Sequence, residues 1–372
     1  MTTQIELVTS RAQLRRFIRL PYRLHRHHPR WVPPLLRQER QYYDNHSNPA
    51  FQKNAVVLAL ASRNGTDIGR IMGIVLRCDR DRPDGQCARF SGFECINDSE
   101  VAAKLLRFVE HWAAEKGSVR VVGPMGFTDQ DPEGFLVDGF AYEPTISTYY
   151  NFEFIPQLLE TNGYTKEVDF VVYRLNPSAP IPNVYQKISD RACRNGGFKL
   201  IHFESRRSLK PHIVPILSLM NETFVDLYGY LPLTEEEMHS LARQFLPIID
   251  PRFVKVAMKG EQLAAFILAM PNLDEGFRRA HGHLLPTGWW RLMAAARKST
   301  QLDLLMAGVK KEYRGNGLDV LGMVVMIEAA RKAGFQWMDS HHELEANWAV
   351  RSVMEHFGGE LSKRYRIYGK TL

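Results

Sequence analysis

The chain has 372 residues, 45% of them apolar and 24% charged, with a formal net charge of +7. At roughly 150 residues per domain this is enough for two or three cores of ordinary globular composition, and no apolar run approaches the roughly 18 residues of a bilayer-spanning helix. Four cysteines, Cys78, Cys87, Cys95 and Cys193, follow no CxxC or Cys/His spacing, which argues against a disulfide framework and a structural zinc site and fits a reducing cytoplasm. The N-terminus is polar and basic without a signal-peptide core, so a soluble, cytoplasmic protein is expected. Positive charge suits nucleic acid, an anionic membrane surface or a phosphorylated cofactor alike, and its sign does not choose among them.

In chain order, residues 11–40 hold much of the basic excess together with His25, His27 and His28. Pro21, Pro29, Pro33 and Pro34 interrupt this segment, so it cannot be one long basic helix, and a packed, irregular segment with a solvated face is expected. Residues 56–61 and 68–75 are apolar runs around Asn64-Gly65, a hairpin signal. A helix begins near Asp98, a plausible N-cap, and carries Val101, Leu105, Phe108, Val109 and Trp112 on one face. It leads into the strand 119–122, a Gly-, Pro- and Asp-rich loop over 123–148, a helix over 154–163 and a strand over 168–175. Asn176-Pro177-Ser178-Ala179-Pro180-Ile181-Pro182 then reads as a linker, because closely spaced prolines continue neither a helix nor an inner strand.

The second half repeats this order. Residues 253–258 and 262–270 flank Lys259-Gly260 as another hairpin, and an insertion over 273–300 contains Arg278, Arg279, Trp289 and Trp290. The apolar strand 302–309 breaks into Lys310-Lys311-Glu312-Tyr313-Arg314-Gly315-Asn316-Gly317-Leu318, and a helix runs on to Ala333. Such a turn is built for phosphate. Gly315 and Gly317 let the backbone approach a ligand, the first amides of the helix lack intrahelical acceptors, the dipole's positive end faces the turn, and Arg314 adds a fork of charged donors. A strand over 335–339, a helix over 349–358 and a strand over 364–368 complete the second copy.

This order of hairpin, strand, glycine turn, helix, strand, helix and strand resembles the GNAT superfamily of acyl-CoA N-acyltransferases. The superfamily's turn signature falls on Arg314 and Gly317, and departs at Asp319, where a small residue is usual. Asn347, followed about eleven residues later by Phe357-Gly358, is similar to its last-helix signature. The pattern as a whole, including Trp31-Val32-Pro33-Pro34 and residues 93–98, is similar to bacterial tandem-GNAT proteins. The resemblance implies an α/β fold of two tandem GNAT-like domains, each a mixed, mainly antiparallel sheet flanked by helices. Residues 1–176 would be a copy without a phosphate loop, 177–196 a linker and connecting helix, and 197–372 the copy that binds acetyl-CoA or another acyl-CoA.

That reaction needs a proton acceptor, a donor for the developing oxyanion and a held cosubstrate. The pantetheine arm would lie along the strand 304–309 against backbone groups of Gly308 and Val309, with the phosphates at Arg314, Gly315, Asn316, Gly317 and Leu318. The candidate catalytic residues are Glu343 first, His342 second, and Asn347. Met354 occupies the position where many relatives carry a thiolate-protonating tyrosine, leaving Tyr365 or Tyr368 as substitutes. The acceptor would be a small-molecule or peptide amine, with no membrane partner and, a charged tRNA apart, no nucleic acid. A non-catalytic ligand binder on the same scaffold and a tRNA-dependent aminoacyl or peptidyl transferase remain alternatives. His341-His342-Glu343 invites a metal reading, disfavoured because neighbouring strand residues face opposite ways. A dinucleotide site using Asp339 is disfavoured because Val320 stands where a third glycine belongs.

Overall fold

The computed structural model describes residues 2–77, 86–194 and 196–372; Cys78 lies outside them. Strand β1 (Gln4–Leu7) is followed by helices α1 (Arg11–Leu24), α2 (Leu36–Tyr43) and α3 (Ala50–Lys53). Strands β2 (Ala55–Arg63), β3 (Thr66–Val75) and β4 (Cys87–Cys95), helix α4 (Ser99–Glu115), strands β5 (Arg120–Gly123) and β6 (Phe135–Asp138), helix α5 (Ile155–Thr161) and strand β7 (Thr165–Leu175) follow. Next come α6 (Asn183–Arg194), β8 (Phe198–His202), α7 (Arg206–Phe224), α8 (Glu235–Phe245), β9 (Val254–Lys259) and β10 (Gln262–Pro271). Helices α9 (Asp274–Ala280) and α10 (Gly288–Lys298) precede β11 (Gln301–Val309), α11 (Leu318–Ala333), β12 (Trp337–Ser340), β13 (Glu343–Leu344), α12 (Trp348–His356) and β14 (Glu360–Thr371). No helix among the described residues is long and apolar enough to cross a membrane.

The fold is two GNAT-like modules with mixed sheets, and its two compact units are not contiguous in sequence. Met1–Phe170, Asp274–Ala295 and Lys363–Leu372 make the first, and Val171–Leu273 with Ala296–Ser362 the second. The units therefore differ in three segments from a boundary at the proline linker, since residues 171–176 group with the second unit. The α9 region and the last strand group with the first unit, because β14 forms its ladder with β5 from Tyr368↔Gly123 to Thr371↔Arg120.

In the first unit the strands run β1-β2-β3-β4-β5-β14, with β6 also on β14. Asn64 (φ 52°) and Gly65 (φ 73°) make the β2–β3 turn, the pair of positive φ values a two-residue hairpin loop demands. Helix α4 starts at Asp98, whose carboxylate accepts from the amides of Glu100 and Val101. It buries Val101, Ala102, Leu105, Leu106, Val109 and Ala113 against Phe90, Phe93 and Ile71. Pro21 does not interrupt its segment; it lies inside α1, near the C-terminal end. Of the three N-terminal histidines, His25 is buried and its Nε2 meets Glu94 Oε2 at 2.9 Å.

In the second unit the order is β7-β12-β11-β10-β9-β8, and the core gathers Phe253, Ile267, Leu302, Val324, Ile327, Met338 and Phe357. Helix α11 packs on β9 and β10 on one side and α6 on the other. That double burial accounts for a helix apolar over most of its surface, where a one-sided helix would carry a narrower stripe.

Candidate functional site

The site lies in the second unit, where β11 outruns its neighbour. Strand β11 pairs antiparallel with β10 from Leu302 to Val309, but parallel with β12 only from Gln301↔Trp337 to Leu304↔Ser340. The His341 amide makes the last bond, to the Leu304 carbonyl at 2.9 Å. The chain then turns off into β13, which pairs β7. Residues 305–309 of β11 thus keep one edge of amides and carbonyls without a partner strand among the described residues. The divergence has a local cause. The ladder with β10 slips between Leu268↔Met306 and Ala269↔Leu304, so Leu305 is an extra residue, and such a bulge bends its strand.

The open edge leads into the glycine turn. Gly315 and Gly317 have φ of 78° and 77°, the left-handed region. A Cβ on Gly315 would meet nothing, whereas one on Gly317 would lie 2.6 Å from Ile188 Cγ2. Gly317 is therefore demanded twice, by dihedral and by packing, and Gly315 once. Helix α11 has no side-chain cap. Its first backbone bond runs from the Leu321 amide to the Gly317 carbonyl at 2.9 Å, so the amides of Leu318, Asp319 and Val320 lack intrahelical acceptors and form an anion-binding end.

The side chains here divide their labour. Arg314 is exposed and, among the described residues, spends only Nε, on the Val309 carbonyl at 3.3 Å. Asn316 folds back to the Tyr313 carbonyl at 3.1 Å, bracing the turn. Leu318 is buried, and Asp319 is exposed in the first turn. Gly308 brings the strand close to Phe266 and Thr223, which a Cβ would meet at 2.7 and 2.8 Å, while its paired neighbour Val309 ends the strand opposite Ala265.

At the other lip are His341, His342 and Glu343. Burial pushes the Glu343 carboxyl up to about 8. A carboxyl titrating there is neutral or anionic as chemistry requires near physiological pH, which is what a general base needs. The two histidines are not in a strand, and their rings touch at 5.0 Å between centroids, so the reasoning that they face opposite ways does not hold. No group of three or more ligand-type side chains arranged for a metal occurs among the described residues. Asn347 is the N-cap of α12, its Oδ1 accepting from the Val350 amide at 3.5 Å.

One expectation is corrected, and the ribose role that the sequence disfavours for Asp339 does not arise. Tyr365 and Tyr368 are fully buried in the first unit's sheet, where their hydroxyls meet Thr148 at 3.2 Å and Glu160 at 3.1 Å, so neither is placed as a proton donor for a solvent-open thiolate. Asp339 is no ribose ligand. It is fully buried and clamped by Arg174 through Nε at 2.7 Å and a terminal nitrogen at 2.8 Å.

That clamp belongs to a network the sequence reading missed. Arg174 also reaches Gln301 at 2.9 Å, Gln301 reaches Asp303 at 2.8 Å, and Asn272 holds the other Asp303 oxygen at 2.9 Å. It ties together the closed end of the β7, β12 and β11 ladder, opposite the end that opens. The signal was present in Asp303, a carboxylate within an otherwise apolar strand, since buried charges are paired.

With this geometry the chain can be compared with known proteins. No family model matches it. Over 374 residues it is 30% identical to the bacterial ceramide synthase of Caulobacter vibrioides (strain NA1000 / CB15N), covering 98% of this chain and 96% of that one. The chain belongs to the family of that synthase. The chain is also similar to Protein YghO of Escherichia coli (strain K12), 24% identical over 368 residues, covering 96% of this chain and 93% of that one. Among solved structures, a tandem GNAT protein from the clavulanic acid biosynthesis pathway superposes with a TM-score of 0.56 at 13% identity, covering 100% of this chain and 98% of that one. The chain thus has the tandem GNAT fold.

Proposed function

We propose that the chain is an acyl-CoA-dependent N-acyltransferase whose acceptor is the primary amine of a long-chain amino alcohol. The observation that carries the reading is the unpaired edge of β11 running straight into an uncapped helix N-terminus. An extended amide-bearing arm suits the edge, and a pyrophosphate suits the amides of residues 318–320 together with Arg314. The acceptor class comes from the Caulobacter relative, whose name specifies ceramide, an amide between a fatty acyl group and a long-chain amino alcohol.

In this reading Glu343, ionised as pH approaches 8, takes a proton from the acceptor's ammonium. The freed amine forms a bond to the thioester carbonyl carbon, the bonded nitrogen gives up its second proton to solvent, and the carbon–sulfur bond breaks to release the thiolate. Backbone N–H groups on the open edge hold the carbonyl oxygen while it carries charge. The thiolate leaves with little need of an acid, since a thiol of pKa about 8.5 is already a fair leaving group, which accommodates the buried Met354.

The test is to mix the purified protein with acyl-CoAs of graded chain length and a panel of amines that includes sphinganine, following free thiol and the mass of the amide. Thiol release matched by N-acyl product on the long-chain amino alcohol is expected. Thiol release with short hydrophilic amines only would overturn the acceptor class. Absence of both turnover and thermal stabilisation with every acyl-CoA, alongside salt-sensitive tRNA binding, would overturn the reaction.

A further inference from the structure

Among the described residues, the two most exposed large apolar side chains lie in one inserted segment. Leu285 is 81% exposed and Trp290 73%, with Trp289 beside them at 37%. His283, Pro286, Thr287 and Arg291 are exposed as well, so the tip of the α9–α10 insertion is apolar with a polar and cationic surround. Exposed tryptophan is costly in water unless something covers it.

The tip is held firmly. Helices α9 and α10 cross closely at Gly276, where a Cβ would come within 2.9 Å of Leu292 and 3.0 Å of Ala295. Gly282, at φ 79°, accepts the Leu36 amide at 2.9 Å and leaves no room for a side chain beside Tyr22. Arg278 reaches Glu143 at 2.8 Å. All of these contacts fall within the first unit. Leu285, Trp289 and Trp290 are thus presented outward by a braced element.

Charge selects the occupant. From Gly276 to Lys298 the sequence has no Asp or Glu, but it has Arg278, Arg279, Arg291, Arg297 and Lys298, with His281 and His283 among them. Arg278 and Arg279 are engaged by Glu143 and Glu275; Arg291 is exposed and, among the described residues, bonds only the Arg279 carbonyl. Tryptophan and leucine beside cations, without carboxylates, is the composition that settles at the headgroup level of an anionic bilayer. We propose that the α9–α10 tip docks the protein on an anionic lipid surface, with Leu285, Trp289 and Trp290 inserted among the headgroups and Arg291 at the phosphates. The expectation of no membrane partner, which rested on the lack of a spanning segment, does not extend to such a surface anchor.

The docking is separable from acyl transfer and is tested without turnover. The full-length protein is cosedimented with vesicles of equal parts phosphatidylglycerol and phosphatidylethanolamine, and with phosphatidylcholine vesicles. Binding to the anionic vesicles that weakens with salt is expected, falling more than about tenfold in L285S/W290S and about fivefold in R291Q, with far-UV circular dichroism unchanged. Brominated lipid should quench the wild type more than W289F/W290F. No sedimentation with anionic vesicles at low ionic strength, or equal binding by wild type and L285S/W290S, would overturn the proposal. So would sedimentation velocity showing a wild-type dimer that L285S/W290S dissociates while vesicle binding stays intact, since the occupant would then be a second copy.

Discussion

Helices α4 and α11 occupy the same place in the two copies of the module but begin in opposite ways. At α4, Asp98 accepts from Glu100 and Val101 at 2.9 and 3.3 Å and pairs with Arg63 at 2.9 Å. At α11, Gly317 offers no side chain and leaves the amides open. The first copy carries its own anion and the second has room for a foreign one. The strands before these helices differ likewise. Strand β4 also has a slipped register, at Gly92 and Phe93 against β3, but a Cβ on Gly92 would lie 2.8 Å from the Tyr43 hydroxyl, and Arg70, Glu94 and His25 are buried nearby. Duplication kept the fold, and the difference lies in whether the chain satisfies its own polar groups or leaves them for a ligand.

The sharpest test of the contrast is at Glu343. E343Q should lower the acyl-transfer rate by about 10²–10⁴-fold, the usual worth of a positioned base, and erase an acid limb expected near pH 8 from the raised carboxyl. A limb that survives the substitution would assign the base to another group, with His342 next to be tested. Stability gives an independent reading. The folded carboxyl titrates at about 8 and the unfolded one near 4.5, so the contribution is full below about 4.5 and is lost as pH climbs toward 8. Urea midpoints of the wild type should decline across that window more than those of E343Q.

Next in size is G317V, which combines a left-handed dihedral costing about 1–2 kcal/mol with the 2.6 Å approach to Ile188. It should weaken acyl-CoA binding more than about tenfold by calorimetry. G315A, strained but sterically free, should weaken it less, and equal effects would show that backbone strain alone matters. R314A should cost about tenfold in affinity with little change in melting temperature, and unchanged affinity would move the phosphate site elsewhere. Smallest, D98A should destabilise by about 1 kcal/mol through the lost cap and leave acyl-CoA affinity untouched. A change in affinity there would mean the first copy also binds.

The local devices of this fold were legible because each has a local cause. Asn64-Gly65, Asp98 and Gly317 act through dihedrals and hydrogen bonds within a few residues, and they stand where the sequence put them. What escaped depends on distant partners. Nothing in the pattern 364–368 says that the strand ladders with β6 and, from Tyr368 on, with β5, and nothing in Arg70, Glu94 or His25 says that they are buried together, because periodicity reports apolar faces only. Pro21 sits in a helix because the Phe17 carbonyl that its missing N–H would have bonded accepts from Arg70 at 3.0 Å instead, a partner far away in sequence. The candidate site was readable as a turn. The splay that makes it a groove depends on the Leu305 bulge and the early end of β12, neither of which has a sequence signature.

The membership of β14 in the first unit has a consequence for how the protein is made. A ribosome delivers residues 2–170 long before Lys363–Leu372, and until those last residues emerge β5 has only β4 beside it while β6 has no β14 to pair with. The first half to be synthesised is thus the last to be completed. It waits with an unsealed strand edge of the kind that invites foreign pairing, and loss of the C-terminal strand would injure the amino-terminal module first.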